Sequence, residues 1–462
     1  MLVLLAGCAH YQSKPISPAD TAAKLEARSL DNPAFRDFLQ KNSRRQFDQW
    51  PLKTWDFETL TLAALYYHPG LEVARAQWNV ALGGKKTAAE SPNPSITAQP
   101  GYDFSATGGV NPWIPGVSFD VPIETMGKRG YRKAQAAHLA ESARRDIATA
   151  AWQVRSNLRG SLIDYVAARE RVELLQKQRD LQARIVEALA SQEAAGALST
   201  SELTQFKIAL TKIDLDLTEA RRQQTGARVH VAESIGVPVK ALAGVHLVFD
   251  LSAPHPVAAR LMSAQVRDEA LTNRADILGA LEDYAASQSA LQLEIAKQYP
   301  DIHFGPYYQY NQGDHQFTLM VTAELPILNQ NEGPIAEAEA KRAQLAAQFI
   351  ALQAKVLAEI DRAVADYRVT RENLSTLESL AAAQKKQEAA VNAQLQAGAA
   401  AQFDLMNSRL ELAAGELVQL DGRVKLQQAF AALEDAVQRP IETITPLLIE
   451  QPPMTAKKEQ QP

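Results

Sequence analysis

Very little of what builds a catalytic centre is present in this chain. A single cysteine, Cys8, stands among 462 residues, so no internal disulfide and no cysteine-built metal cage can form. The eight histidines never fall four apart on one helix, and no HExxH, CxxC or GxGxxG pattern occurs. Gly83-Gly84-Lys85-Lys86-Thr87 lacks both the glycine spacing and the hydroxyl directly after the lysine that a phosphate loop needs. Charge of one sign is not in excess: 48 Lys and Arg face 53 Asp and Glu, a net of −5, with no basic surplus to suit nucleic acid. Aromatic residues are sparse at 6%. No run approaches the ~18 apolar residues of a transmembrane helix. Membrane β-strands stay open to the chain, because they are short and only half apolar. The expectation is a protein without catalytic residues, resident metal or cofactor, and without a nucleic-acid partner.

What the chain does have is a second copy of itself. Asp164-Tyr165, Ala195-Gly196-Ala197, Glu202-Leu203 and Pro238 recur 202 residues later as Asp366-Tyr367, Ala397-Gly398-Ala399, Asp404-Leu405 and Pro440. Upstream the offset is 206, pairing Ala64-Leu65 with Ala270-Leu271 and Pro94 with Pro300; Pro122-Ile123 pairs with Pro326-Ile327 at 204. A repeat this long is a duplicated structural unit and suggests pseudo-symmetry about an axis, as in a ring or tube.

Each copy changes its hydrophobic period in the same order. Apolar residues recur at helical spacing from Trp55 to about Ser91, where Pro92 and Pro94 end the helix. The period then drops to two. Ile96, Ala98, Pro100, Tyr102 and Phe104 alternate with polar residues, and Val117, Phe119 and Val121 do so after a turn. The second copy repeats this with Ile302, Phe304, Pro306, Tyr308 and Tyr310, then Phe317, Leu319, Val321, Ala323 and Leu325. Strands of about ten residues have the span of a membrane β-strand, although a half-buried soluble hairpin would show the same alternation. His303 and His315 fall on opposite strands of the second hairpin, where they could approach each other, but they read as solvated strand residues.

A very long helix follows each hairpin, roughly Arg132–Ala195 and Pro334–Ala397, each about 95 Å by the helical rise. Gly196 and Gly398 break them, and Ser199 or Thr200 can cap the next helix with Glu202 in its first turn. Two shorter helices stacked end to end beside one long helix would make a uniform cylinder wall.

The N-terminal Leu2-Val3-Leu4-Leu5-Ala6-Gly7-Cys8 resembles a bacterial lipoprotein signal, in which the thiol is acylated and the chain is cut before it, though no Lys or Arg precedes the apolar stretch. An ordinary cysteine is the plainer alternative. The expected order is a signal at 1–7, an N-terminal tether or equatorial segment with little regular structure at 8–55, and a first repeat at 56–238 with its hairpin at about 95–124. An inter-repeat equatorial segment at 239–265, a second repeat at 266–440 with its hairpin at about 301–326, and a C-terminal tail at 441–462 follow.

Helix, hairpin, very long helix, glycine turn and helix, duplicated behind such a signal, closely resemble the TolC-type outer-membrane efflux channels over about residues 56–440. The resemblance implies a mainly α fold with a β-barrel part: a homotrimer pooling its strands into a 12-stranded barrel in outer-membrane lipid, above a long α-helical barrel reaching into the periplasm. It also implies a passive exit duct for small molecules or metal cations, with a periplasmic adaptor (a membrane fusion protein) and an inner-membrane pump of the RND type as partners. Gly127-Lys128-Arg129 looks like a junction common in the branch that exports heavy-metal cations. The family often rings its periplasmic gate with acids six and nine residues past the second glycine. Those positions are Asp404, a match, and Asn407, a departure; the first copy offers Glu202 and Gln205. Capping of their own helices is the plainer role for the two acids. The family's arginine–tyrosine latch is missing, since Ala400 and Leu395 stand in its places. The tips, with Gly196, Leu198, Ser199, Gly398 and Phe403, are expected to expose small residues plus Leu198 and Phe403 to the adaptor. A periplasmic helical scaffold or adaptor lipoprotein with no pore is the alternative.

Overall fold

The structure, a computed structural model, describes residues 11–43, 47, 49–255 and 258–438. The signal at 1–7, Cys8, Pro440 and the tail at 441–462 lie outside the described residues.

The segment expected to be an irregular tether is in fact helical: α1 spans Pro18–Glu26 and α2 spans Pro33–Ser43. Pro18 and Pro33 start these helices. Each stands at the first helical position, where its missing N–H costs nothing, and Ser17 caps α1 by accepting from the Asp20 N–H. Strand β1 (Thr54–Trp55) follows, then α3 (Phe57–Tyr67) and α4 (Pro69–Ala89). Here the expected single helix is broken at His68, whose extended backbone is what a following proline demands. The second copy breaks at the equivalent place without a proline. There α8 (Ala264–Asn273) gives way to α9 (Ala275–Ala296) at Arg274, after the four-residue α7 (Ala258–Leu261).

The hairpins form as expected, with β2 (Ser95–Tyr102) and β3 (Trp113–Ile123) in the first copy and β5 (Ile302–Asn311) and β6 (Asp314–Ala323) in the second. The long helices are α5 (Lys128–Ala194) and α10 (Glu332–Gln396), paired with α6 (Thr200–Ile235) and α11 (Gln402–Val437). Strand β4 (His246–Leu247) lies in the inter-repeat segment and pairs in parallel with β1.

The chain divides into two compact units, and each draws on both repeats. One holds residues 1–69, 152–258 and 363–435. Its core includes an aromatic cluster in which Phe35, fully buried, packs on Trp50, Trp55, Tyr66 and Tyr67. Along its part of α5, Leu158, Leu162 and Val166 are fully buried at four-residue steps, one helical stripe worth about 1.5–3 kcal/mol per side chain. The other unit holds residues 70–151 and 259–362, and contains a four-stranded antiparallel sheet in the order β2-β3-β5-β6. That sheet is open, not a closed barrel: among the described residues, β2 and β6 each have one unpaired edge.

Candidate functional site

The register of the sheet sorts its side chains into two rows. Ile96 pairs with Phe119, Ala98 with Val117 and Tyr102 with Trp113; Val121 pairs with Phe304, which pairs in turn with Val321. This row is apolar apart from His315 near the hairpin turn, and much of it is exposed: Ile96 at 65%, Val321 at 64% and Phe317 at 82%. The opposite row carries Thr97 and Ser118, Ser118 and Tyr307, and His303 and Thr322 as partners. On it the Asp120 carboxylate lies 2.9 Å from His303 Nδ1. His303 and His315 do not approach each other. His315 pairs with Tyr310 in the apolar row, and its Nδ1 lies 2.7 Å from the Tyr308 hydroxyl. Among the described residues no group of three or more His, Cys, Asp or Glu is placed to hold a metal ion.

At the foot of the first hairpin, Gly127-Lys128-Arg129 serves as a structural clamp. Met126 and Gly127 take positive φ values of 52° and 74°, which turn the chain into α5. Buried Lys128 donates from Nζ to the Tyr299 carbonyl at 2.7 Å and to Asp301 at 2.8 Å, and the Thr125 N–H donates to the same carboxylate at 3.0 Å. Arg129 donates to the Ala89 carbonyl, and Arg132 forks onto Glu124 at 2.6 and 3.1 Å. At the second foot, Asn331, with φ 59°, donates to the Glu294 carbonyl at 2.7 Å, and the lysine there, Lys297, pairs within its own turn with the Glu294 carboxylate at 2.7 Å.

At the far ends of the long helices the two turns are built alike. Gly196 and Gly398 take φ values of 74° and 73°. The N–H of Ala197 reaches the Gln192 carbonyl and that of Ala399 reaches Gln394, the long closing bond of a left-handed helix stop. Ser199 and Glu202 form a reciprocal capping box on α6, and Asp404 accepts from the Ala401 N–H at 2.9 Å at the start of α11. Both acids therefore cap their helices. Hydrogen bonds from the Ser199 hydroxyl and then its N–H hold the Glu202 carboxyl below its usual range. Gln205 is exposed, while Asn407 is half-buried.

Leu198 and Phe403 were expected on the surface, but they turn inward. They pack with Ile185, Leu189, Leu203, Phe206 and Met406 in one cluster, with the Phe206 and Phe403 rings edge-on at 6.1 Å. Apolar side chains at the apex of two adjoining helical turns bury each other, since each is the other's nearest apolar surface. The exposed parts of the tips are Gly196, Ser199 and Gly398 with their alanine neighbours.

One constellation escaped the sequence reading. Antiparallel α5 and α11 carry complementary charges along their contact. Lys177 meets Glu416 at 2.8 Å, Arg171 meets Asp421, and buried Arg155 and Arg159 share buried Glu434. The Arg159 guanidinium lies 5.0 Å from the Phe430 ring centre and 5.5 Å from that of Phe57. Asp435 accepts from Trp152 Nε1 at 2.9 Å and from Ser156; its burial outweighs these bonds and raises its pKa. His255 stacks on Phe430 with centroids 3.8 Å apart, and burial, then the Arg159 charge, lowers its pKa to about 4. The cations of α5 and the acids of α11 were visible in sequence, but only a pairing register between the repeats would have joined them.

No protein-family model matches the chain. Over 260 residues it is 23% identical to the cobalt-zinc-cadmium resistance protein CzcC of Cupriavidus metallidurans; the match covers 56% of this chain and 61% of that protein. Among solved structures, the outer-membrane protein VceC of Vibrio cholerae superposes with a TM-score of 0.67 at 17% identity, over 82% of this chain and 95% of that one. The outer-membrane channel OprN gives 0.68 at 16% identity, over 93% and 98% of the two chains. The fold is that of the TolC-type outer-membrane channels. The CmeC outer-membrane channel of Campylobacter jejuni, with a TM-score of 0.66 at 15% identity over 82% of this chain and 85% of that one, has the same fold.

Proposed function

We propose that this protein is a passive exit duct of the outer membrane, three copies of which enclose one channel. The observation that carries the reading is the open sheet, apolar on one face, polar on the other and unpaired at both edges. Exposed apolar rows of this kind are stable against lipid, and unpaired strand edges are not, so the sheet must be completed. Four strands cannot close a barrel, whose smallest membrane form has about eight, whereas three copies supply twelve. The polar row then lines water and the apolar row faces outer-membrane lipid.

The helices of the same chain extend into the periplasm, where their tips meet a periplasmic adaptor coupled to an inner-membrane pump of the RND type. Glu202, Gln205, Asp404 and Asn407 stand at the narrow mouth, and the exposed small residues around Gly196, Ser199 and Gly398 receive the adaptor. The likeness to the cobalt-zinc-cadmium resistance protein CzcC supports divalent metal cations as cargo. The repeats at 56–238 and 266–440 are the units that pool around the channel, and acylated Cys8 adds a lipid anchor.

Conductance of the purified full chain in planar bilayers, measured with the Cys8→Ser variant beside it, tests the duct. Both proteins should need detergent and both should conduct, and mass spectrometry should find the parent acylated on Cys8. A Cys8→Ser protein that is soluble without detergent and silent in bilayers would favour a poreless periplasmic scaffold.

A further inference from the structure

The duplication holds a strand register that one copy of the chain leaves unused. Shifting β2 by 206 residues and β3 by 204 turns every observed pair of the first hairpin except Ser95 with Asp120 into an observed pair of the second. Ile96 with Phe119 becomes Ile302 with Ala323, Ala98 with Val117 becomes Phe304 with Val321, and Tyr102 with Trp113 becomes Tyr308 with Phe317. The repeat is therefore a symmetry of the backbone hydrogen bonding as well as of the sequence.

The symmetry fails at one place. Strand β3 runs past its last β2 partner, Asp120, and its final residues Val121, Pro122 and Ile123 pair only with β5, the first strand of the next repeat. The counterpart of Ile123 is Ile327, yet β6 stops at Ala323. No further repeat lies beside it. The apolar residues that follow it are exposed: Leu325 at 67%, Ile327 at 74% and Leu328 at 101%. The other free edge, β2, exposes Ile96 at 65%.

We infer that β6 pairs antiparallel with β2 of a second copy of this chain in the register fixed by the internal seam, with Val321 opposite Tyr102, Leu325 opposite Ala98 and Ile327 opposite Ile96, and that β6 lengthens to Ile327 when it does. The inference rests on the duct reading and adds its residue-level seam. These partners follow from the observed β3·β5 pairs: Val117 with Tyr308, Val121 with Phe304 and Ile123 with Ile302, carried forward by 204 and back by 206. Strand polarity agrees. The four strands alternate in direction, so β6 meets the next β2 antiparallel, as β3 meets β5. Row parity agrees too, because every partner named lies in the apolar row of its own strand. A slip of two residues keeps parity, so parity alone does not select the register; the internal symmetry does.

Disulfide formation reads the register directly. Facing residues of an antiparallel pair have Cα atoms about 4.5–5.5 Å apart, within bonding range, while diagonal neighbours lie about 7–8 Å apart. Within one chain β2 and β6 are separated by two strands, on the order of 14 Å, so their cysteines cannot join internally. The full-length protein carrying Ala98→Cys with Leu325→Cys is oxidised in the membrane and run without reductant. The second pair is Tyr102→Cys with Val321→Cys, in case the first impairs folding. Controls are the slipped pairs Ala98→Cys with Ala323→Cys and Ala98→Cys with Ile327→Cys, the parent with Cys8 alone, and the intrachain pair Val117→Cys with Tyr308→Cys.

The expected result is covalent oligomers up to a closed trimer from both in-register pairs, collapsing to monomer on reduction, with little from the slipped pairs. Covalent trimer mainly from a slipped pair would overturn the register and leave the shared barrel standing. Formation of the Val117–Tyr308 intrachain bond with no interchain product from any pair would overturn both this seam and the duct reading.

Discussion

Placing arginine at Val321 should disrupt the assembled protein, and placing it one residue later should not. Val321 is 64% exposed in the apolar row, between Leu319 and Ala323 of the same row. If β6 continues to Ile327, Val321 stands at the middle of the strand and so near the bilayer midplane. An arginine there costs about 2–4 kcal/mol per chain, and a threefold assembly carries it three times, about 6–12 kcal/mol. At ~1.4 kcal/mol per decade, the cost per chain alone lowers recovery of the assembled form by about 30- to 1000-fold. Thr322 faces the other way, opposite His303 and in the row of Asp120. Arginine there meets water and a nearby carboxylate, so the cost should stay below about 1 kcal/mol. The assay is heat-dependent migration of the oligomer extracted from outer-membrane fractions, with total chain measured in parallel. Equal recovery of Val321→Arg and Thr322→Arg would show that the apolar row does not face lipid, and the barrel would fall with it.

Lys128→Met should leave Asp301 without its buried cation and lower the thermal dissociation point of the detergent-solubilised oligomer by the equivalent of about 1–3 kcal/mol per chain; an unchanged melt would show that the clamp is idle. Gly196→Val and Gly398→Val place a branched side chain at φ 74° and 73°, where its Cβ meets no neighbouring atom within 4 Å, so the main cost is backbone strain, about 1–2 kcal/mol. Assembly should survive and efflux should fail, whereas the asparagine variants, tolerant of that conformation, should export; normal export by the valine variants would remove the tips as docking surface. Asp404→Asn with Glu202→Gln keeps both caps but removes the charges, and should reduce cation selectivity and divalent block in planar bilayers; unchanged conductance properties would confine both acids to capping. His255 titrates near 4 in the folded chain and near 6.5 when unfolded, so the unfolded state takes up the proton first as pH falls. Stability should drop between pH 6.5 and 4 by about 1–2 kcal/mol, discounted for the partly exposed ring, and His255→Phe should flatten that slope in thermal melts.

The order of elements could be read because it rests on local chemistry repeated twice. The strands declared themselves through a period of two, and the stops at Gly196 and Gly398 through a residue that alone takes positive φ without strain. What could not be read depended on distant partners. The helices that begin at Pro18 and Pro33 were not expected, because nothing local says that Phe35 will be buried among five aromatic rings. Leu198 and Phe403 looked like surface because each lies at a turn, and only the meeting of the two turns hides them. Gly127-Lys128-Arg129 could be read as a junction, but not the hold on its lysine ammonium by Tyr299 and Asp301, far along the chain. The candidate gate acids came from the family resemblance, and the Glu202 cap from the Ser199-to-Glu202 pattern.

Where the two copies agree and where they part follows a physical division. Agreement is closest in backbone devices: the helix break at His68 and Arg274, the glycine stops, and the hairpin registers. These set rise, bend and strand spacing, the features that a repeated backbone has in common. Charge and capping chemistry diverge. Ser199 closes a reciprocal capping box, but its counterpart Ala401 offers only its N–H to Asp404. Lys128 clamps Asp301 across the internal seam, while the shifted positions, Glu332 and Ser95, hold no such pair of opposite charges. The internal seam can use an ion pair because both partners fold in one chain. A seam between copies with the same backbone register must instead rely on strand hydrogen bonds and on the apolar residues Leu325 and Ile327, which gain most when lipid or a neighbour covers them.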